Sequence, residues 1–367
     1  TCLYLEGLGF YQISTYNTIN NYKGILLMKE SIFRSAIRSF FTSLSACIGF
    51  FIAIFALIMW GVANSGLDTK TTVKPLPNAE GNKGELRLTS PILLQIDIHD
   101  IIGLGKMTSE SVNLQLFESQ LKFKPGQVKG ILLHINTPGG GVTASNAIYE
   151  SLLEYKRKHN VPIYAYVEGL CASGGMYIAS AADFIYSNPI SVIGSIGVIE
   201  GPFFNFSELL KKIDVSSVTL TEGKNKDSLN PFRPWREGEE KTHQDIIKSM
   251  YNRFVHIIAK SRPNLNINQL RNEYGAQVFI AEKARELGYI DVSNSTYKEA
   301  LRALKEASRI GKKDNYQVVK LVPPIEYKFF PASASSSFIY KLFSRIFFTS
   351  PPVQEKFLYL DPSYVNG

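Results

Sequence analysis

The chain is poor in the residues that build disulfide frameworks, metal centres and histidine-based triads: its 367 residues include three cysteines and five histidines. Cys2 lies in the N-terminal segment, Cys47 in an apolar run and Cys171 beside a serine turn, a scatter that offers no pairing scheme and no thiolate cluster. There is no HExxH helix and no phosphate-binding P-loop, so neither zinc-peptidase nor nucleotide chemistry is indicated, and no metal or cofactor is expected. The net charge of +8 comes from dispersed Lys and Arg. Without an aromatic-interleaved basic stripe or a recognisable nucleic-acid-binding motif, that charge does not point to a nucleic-acid partner. Histidine placement is equally unhelpful to a Ser-His-Asp arrangement. His134 sits inside the apolar run ILLHI, His159 in the charged run KRKHN, and His243 and His256 in a helical stretch; His99, at a strand end, is the one with reach to a site.

What the chain has in abundance is apolar sequence, 45% of residues, enough for a sizeable core in one or two domains. One run stands apart. Residues 40–63 read FFTSLSACIGFFIAIFALIMWGVA, 24 residues without a charge, the length a helix needs to cross a bilayer. Twelve of them are Phe, Leu, Ile or Val, together worth roughly 4–7 kcal/mol of insertion free energy before the small polar residues are subtracted. Lys23, Lys29, Arg34 and Arg38 precede the run, so residues 1–39 are expected to stay cytoplasmic and everything beyond Ala63 to be exported. The run exceeds the apolar core of a cleaved signal peptide and is apolar on every face, which favours an anchor over a leader or a buried helix. Residues 1–27 lack periodicity and Met28 opens a compact basic stretch, so translation is expected to start at Met28. Residues 64–90, rich in Gly, Pro, Asn and Lys, read as a linker.

From 91 onward apolar strands alternate with amphipathic helices. PILLQIDI (91–98), VKGILLHIN (128–136) and VPIYAYVEG are strands, with a helix around SESVNLQLFESQLKF and another over 144–159. That alternation predicts an α/β fold with a largely parallel sheet, whose carboxyl edge is where ligands bind. Two loops reach that edge: NTPGGG (136–141), and CASGGMYIA (171–179) centred on Ser173. A serine on a tight turn between strand and helix, with bare backbone N–H groups beside it, is how a nucleophile and half of an oxyanion hole are presented. With no suitable histidine, a lysine is the better base. Gly139, Gly140 and the N–H of Gly174 are candidates to converge on one carbonyl oxygen. After residue 296 come an amphipathic helix, TYKEALRALKEASRI, and a short apolar segment, 335–350, too short and too charged to span a membrane.

The ordered set INTPGGGV, VEGLCASGGMYIASAADFIYSNPISVIGSIGVI, LTEGKNKDSLNPFRPW and AEKARELGYID resembles the signal peptide peptidase A (protease IV) family of membrane-anchored Ser-Lys peptidases over about 91–295. The resemblance implies a ClpP/crotonase fold, Ser173 as nucleophile, Lys226 of GKNKD as general base, Ser195 of GSIGV as the lysine's hydrogen-bond partner, and Gly139 and Gly174 as oxyanion donors. It implies extended peptides such as signal peptides as substrates, and a bacterial inner-membrane location with the catalytic domain on the exported side. The motifs occur once, as in the short forms of the family, so a homo-oligomer with sites shared between protomers is expected. The chain departs from the family pattern at Thr137, commonly Ser, at Cys171, and in the extension 296–367. Two other readings remain: an acyl-CoA hydratase or isomerase of the same fold, which would use carboxylates, and a non-catalytic membrane scaffold.

Overall fold

The computed structural model describes residues 34–56, 71–83, 89–311 and 314–323, and the backbone of 358–360. The chain divides into two units, Thr1–Asp68 and Thr69–Gly367. In the first, one helix is described, α1 (Arg34–Ala56), with a mean hydropathy of 2.0 over its most apolar window and none of that window buried. It is long and apolar enough to cross a membrane, and it starts six residues before the predicted run. The start at Met28 and residues 57–63 lie outside the described residues, as does the apolar segment 335–350.

The second unit is built on one mixed sheet. Its strands are β1 (Thr72–Leu76), β2 (Ile92–His99), β3 (Val128–Thr137), β5 (Ile163–Ala172), β6 (Phe184–Ser187), β7 (Val192–Gly194), β8 (Val278–Ile280) and β9 (Gln317–Val322). The spatial order is β1-β9-β2-β3-β5-β7-β8, with β6 alongside β5. The pairs from β9 through β2, β3 and β5 to β6 and β7 are parallel, whereas β1 and β8 are antiparallel. Helices cover both faces. Leu94, Ile96 and Ile98 of β2 and Ile131, Leu133 and Ile135 of β3 pack with α2 (Ser109–Lys122), α3 (Val142–His159), α4 (Gly174–Ala179) and α6 (Lys241–Ser261). The alternate residues Leu93, Leu132, Tyr164 and Tyr166 meet Ala300, Leu301 and Leu304 of α9 (Tyr297–Ala307). Burial on both faces is why β2 and β3 are almost continuously apolar. Helix α9 opens with a capping box in which Thr296 and Glu299 satisfy each other's backbone donors.

Shorter helices are α5 (Ser207–Lys212), α7 (Ile267–Gln269) and α8 (Ala281–Glu286), α7 running into a π-turn over Leu270–Tyr274. The helix expected after residue 296 is α9. Two strands differ from their sequence reading: residues 72–76, inside the expected linker, form β1, and residues 317–322 of the extension form β9, inserted between β1 and β2. Both are short, and their pairing joins residues more than 200 apart in sequence, which local patterning does not reveal.

Candidate active site

Ser173 occupies the single residue between the end of β5 and the start of α4, with φ 52° and ψ −113°. An L-residue seldom adopts that conformation, and here it is held from both sides: Ser173 N donates to Gly194 O at 2.9 Å and Ser173 O accepts from Tyr177 N at 3.0 Å. The two following glycines are required by space. A Cβ on Gly174 would lie 2.5 Å from Ser145 Oγ and 3.2 Å from Gly140 N, and one on Gly175 would lie 2.7 Å from Thr137 Cγ2. The Gly-Gly pair therefore lets the N-terminus of α4 close directly onto the loop after β3. Ser173 is fully buried, and neither its Oγ nor that of Ser145 has a hydrogen-bond partner among the described residues.

That loop forms β4 (Gly139–Gly141). Thr137 Oγ1 donates to Asp100 O and accepts from Gly139 N at 3.1 Å. Ile102 N donates to Gly139 O at 2.9 Å, and Gly141 N to Ile102 O at 2.8 Å. A Cβ on Gly140 would stand 2.0 Å from Ile102 O, so only glycine lets these backbones approach. Because peptide groups alternate along an extended segment, Gly140 turns its own N–H and C=O to the other edge of β4. There the chain lays its own strand β10 (Leu358–Leu360) antiparallel, Tyr359 opposite Gly140. The Gly139 N–H, expected as an oxyanion donor, is engaged by Thr137, and the donor beside Gly174 is that of Gly140.

Ser195 follows β7 at φ 54°, buried, its N donating to Gln277 O at 2.8 Å. Since Gly194 O receives Ser173 N, Ser173 and Ser195 sit on neighbouring chain segments. A groove of about 430 Å³ opens beyond Ser195, lined by Ile196, Val198, Ile247, Lys248 and Tyr251. Lys226 makes no such contact. It is exposed, in a turn where its N donates to Gly223 O at 3.3 Å, and within the single chain no described hydrogen bond joins it to Ser173 or Ser195. Asp227 anchors that turn: its carboxylate receives Arg233 Nε at 2.7 Å and Arg236 Nη2 at 2.8 Å, and Arg233 also holds Glu239 at 2.7 Å. Hydrogen bonds from Arg233 hold the Asp227 and Glu239 carboxyls below their ordinary range. The aspartate of GKNKD thus has a structural part that the motif alone did not disclose.

Other nucleophiles and bases are engaged elsewhere. Burial pushes the Cys171 thiol far up, and its Sγ lies 3.6 Å from Met176 Sδ, so no thiolate forms two residues before Ser173. His243 pairs with Glu200 at 3.1 Å, His159 rests on Tyr155, and His99 packs against His134.

A strained, buried serine turn at the carboxyl edge of a parallel sheet, packed against a glycine strand, is the arrangement in which α/β enzymes present a nucleophile. Comparison with known proteins is more specific. Residues 155–311 match the model of peptidase family S49 and residues 90–202 that of the Clp protease family. Over these residues the chain is similar to S49 peptidases and to Clp proteases, on an α/β fold with a largely parallel sheet. A protein bearing the name signal peptide peptidase SppA in Enterococcus faecium is 35% identical over 203 residues, covering 55% of this chain and 58% of that one. A protease of Methanocaldococcus jannaschii is 34% identical over 187 residues, 51% of this chain and 58% of that one. Protease 4 of Haemophilus influenzae is 31% identical over 181 residues, 49% of this chain and 28% of that one. The chain thus spans less than three-fifths of the length of these relatives. Among solved structures, a ClpP1 mutant from Listeria monocytogenes aligns with 17% identity and a TM-score of 0.38, covering 56% of this chain and 94% of that one.

Proposed function

We propose that the protein is a membrane-anchored serine endopeptidase that cuts extended peptides, signal peptides among them, with Ser173 as nucleophile and Lys226 as general base. The observation that carries this reading is the Ser173 turn: a buried hydroxyl, unpartnered among the described residues, held in a strained conformation against Gly174 and Gly140. In the proposed reaction Ser173 Oγ attacks the scissile carbonyl carbon as its proton passes to the Lys226 amine. The carbonyl oxygen, now an oxyanion, takes hydrogen bonds from the Gly174 N–H and from the glycine strand, through Gly140 or through Gly139 once Thr137 releases it. Each such donor is worth about 2.7–4 kcal/mol in the transition state. The lysine then returns the proton to the departing amine, and water, deprotonated by the same lysine, hydrolyses the acyl-serine.

Support for an extended peptide as substrate comes from β10, because the edge of β4 accepts an antiparallel strand. Support for a site shared between protomers comes from Lys226. A lysine accepts a proton only as the free amine, which near neutral pH requires burial to disfavour its ammonium form. In the single chain it is exposed. The segment around it also exposes Phe204, Val218, Leu220 and Phe232, an apolar surface suited to a second copy that would cover both. Helix α1 supplies the anchor in this reading, with the domain on the exported side of the bacterial inner membrane. Labelling of the purified full chain by a fluorophosphonate probe tests the proposal: wild type should be labelled, and Ser173→Ala should not. Equal labelling of both would end it.

A further inference from the structure

On the opposite face of the sheet from α4, the carboxyl ends of β2 and β3 bring three donors together that no local motif announces. Asp97 and His134 are cross-strand partners, His99 lies two residues beyond Asp97 on the same face, and one ligand atom from each falls within 4.8 Å of the others. We propose that Asp97, His99 and His134 form a binding site for a divalent transition-metal ion, with zinc as the matching ion.

Four observations support it. His134 Nε2 is 3.1 Å from Glu168 Oε2, leaving Nδ1 turned toward Asp97 Oδ1 at 3.8 Å. That separation is too long for a hydrogen bond yet fits two ligands of one ion, whose bonds are each about 2.0–2.2 Å. A carboxylate on the far nitrogen of a metal-binding imidazole is the usual outer partner that fixes its tautomer and orientation. His99 Nε2 is hidden from solvent without a hydrogen-bond partner among the described residues, leaving its lone pair available to an ion. The rings are also held in place: His99 meets His134 edge-on at 4.9 Å, and His134 stacks on Tyr166 and abuts Tyr297. Lys320 occupies Asp97 Oδ2 and Gln95 Nε2 reaches Oδ1 at 2.6 Å, so Oδ1, with a remaining lone pair, is the oxygen that faces the ion. Two imidazoles and one carboxylate suit zinc and its neighbours rather than magnesium or calcium, and a water would complete the shell.

The ion would act on more than its ligands. The turn after His99 includes Asp100 and Ile102, whose backbone grips Thr137, Gly139 and Gly141, so metal binding would fasten the glycine strand from behind.

The test uses the tag-free full chain in detergent, stripped with a chelator and titrated with zinc by calorimetry and with cobalt by visible absorption. One equivalent per chain is expected, with a zinc-dependent rise in Tm and slower hydrogen exchange over 99–104. His99→Phe keeps a ring in place and removes no described hydrogen bond, so it should melt like wild type in chelator and bind zinc at least 100-fold more weakly. Glu168→Gln, on a side chain more than half exposed, should weaken binding about 10–100-fold. Wild type that takes up no stoichiometric zinc or cobalt overturns the proposal, as does His99→Phe with wild-type affinity. Should His99→Phe fail to fold, Glu168→Gln decides, and unchanged affinity there overturns it too.

Discussion

Ser173 carries a hydroxyl that is desolvated and, among the described residues, unpaired, so removing it relieves a buried polar group as well as deleting a nucleophile. Ser173→Ala should therefore abolish peptide cleavage while leaving Tm unchanged or slightly higher; a clearly lowered Tm in calorimetry would show the hydroxyl to be structural. Gly174→Ala tests the neighbouring contact. Its methyl would collide with Ser145 Oγ and crowd Gly140 N, costing about 1–3 kcal/mol and most of the activity. Adding Ser145→Ala should recover much of the stability, as a double-mutant cycle in denaturant would read out. Lys226→Arg should be as inactive as Lys226→Ala, because a guanidinium keeps its charge and takes no proton; an Arg enzyme within tenfold of wild type would exclude lysine as base. The serine turn and its glycines were legible because they are neighbours in sequence, whereas Lys226 entered through the family resemblance alone. Asp97, His99 and His134 were not legible, because their proximity exists only once β2 and β3 are in register, and an expectation of no metal drawn from spacing motifs is blind to such a set.

Among the elements, the turn that carries Lys226 has its own fastening. Asp227 and Glu239 are held ionised by Arg233, their carboxyl pKa values below those of the unfolded chain. A depressed carboxyl pKa stabilises the fold above its unfolded value, about 4, and that contribution is lost as pH falls through the folded value. Trp235, whose Nε1 donates to Asn230 O at 3.1 Å, reports on the same turn. Its fluorescence should hold steady from neutral pH down to about 5 and change at lower pH. Asp227→Asn should move that transition upward and lower kcat with Lys226 intact; an unchanged transition would show that the ion cluster does not secure the turn. Strands β2 and β3 and helix α3 were legible within a residue or two from their periodicity, and β5 to within three. By contrast, β10 and β9 are too short to carry a pattern, and what makes them strands is the edge each one meets.

For the molecule as a whole, Ser173 is buried and Lys226 exposed in one chain with no described hydrogen bond between them, and the shared-site reading predicts complementation. Ser173→Ala and Lys226→Ala proteins, each inactive, should regain activity when dissociated and reassembled together, since some interfaces would then pair an intact serine with an intact lysine. Complete subunit exchange without recovery would exclude the shared site. The sheet holds one more consequence. Strand β9 sits between β1 and β2, so the interior edge of β2 stays open until residues 317–322 arrive. A chain emerging from the ribosome or threading across a membrane amino end first must deliver more than 220 residues beyond Ile92 before that gap can close. The sheet behind Ser173 would then be completed late, after the domain has left the translocation machinery, so a half-delivered enzyme would lack the finished scaffold to cut what travels beside it. Release of a chain ending at residue 316 should leave a protein that binds hydrophobic dyes and lacks fluorophosphonate labelling, whereas one ending at 323 should fold.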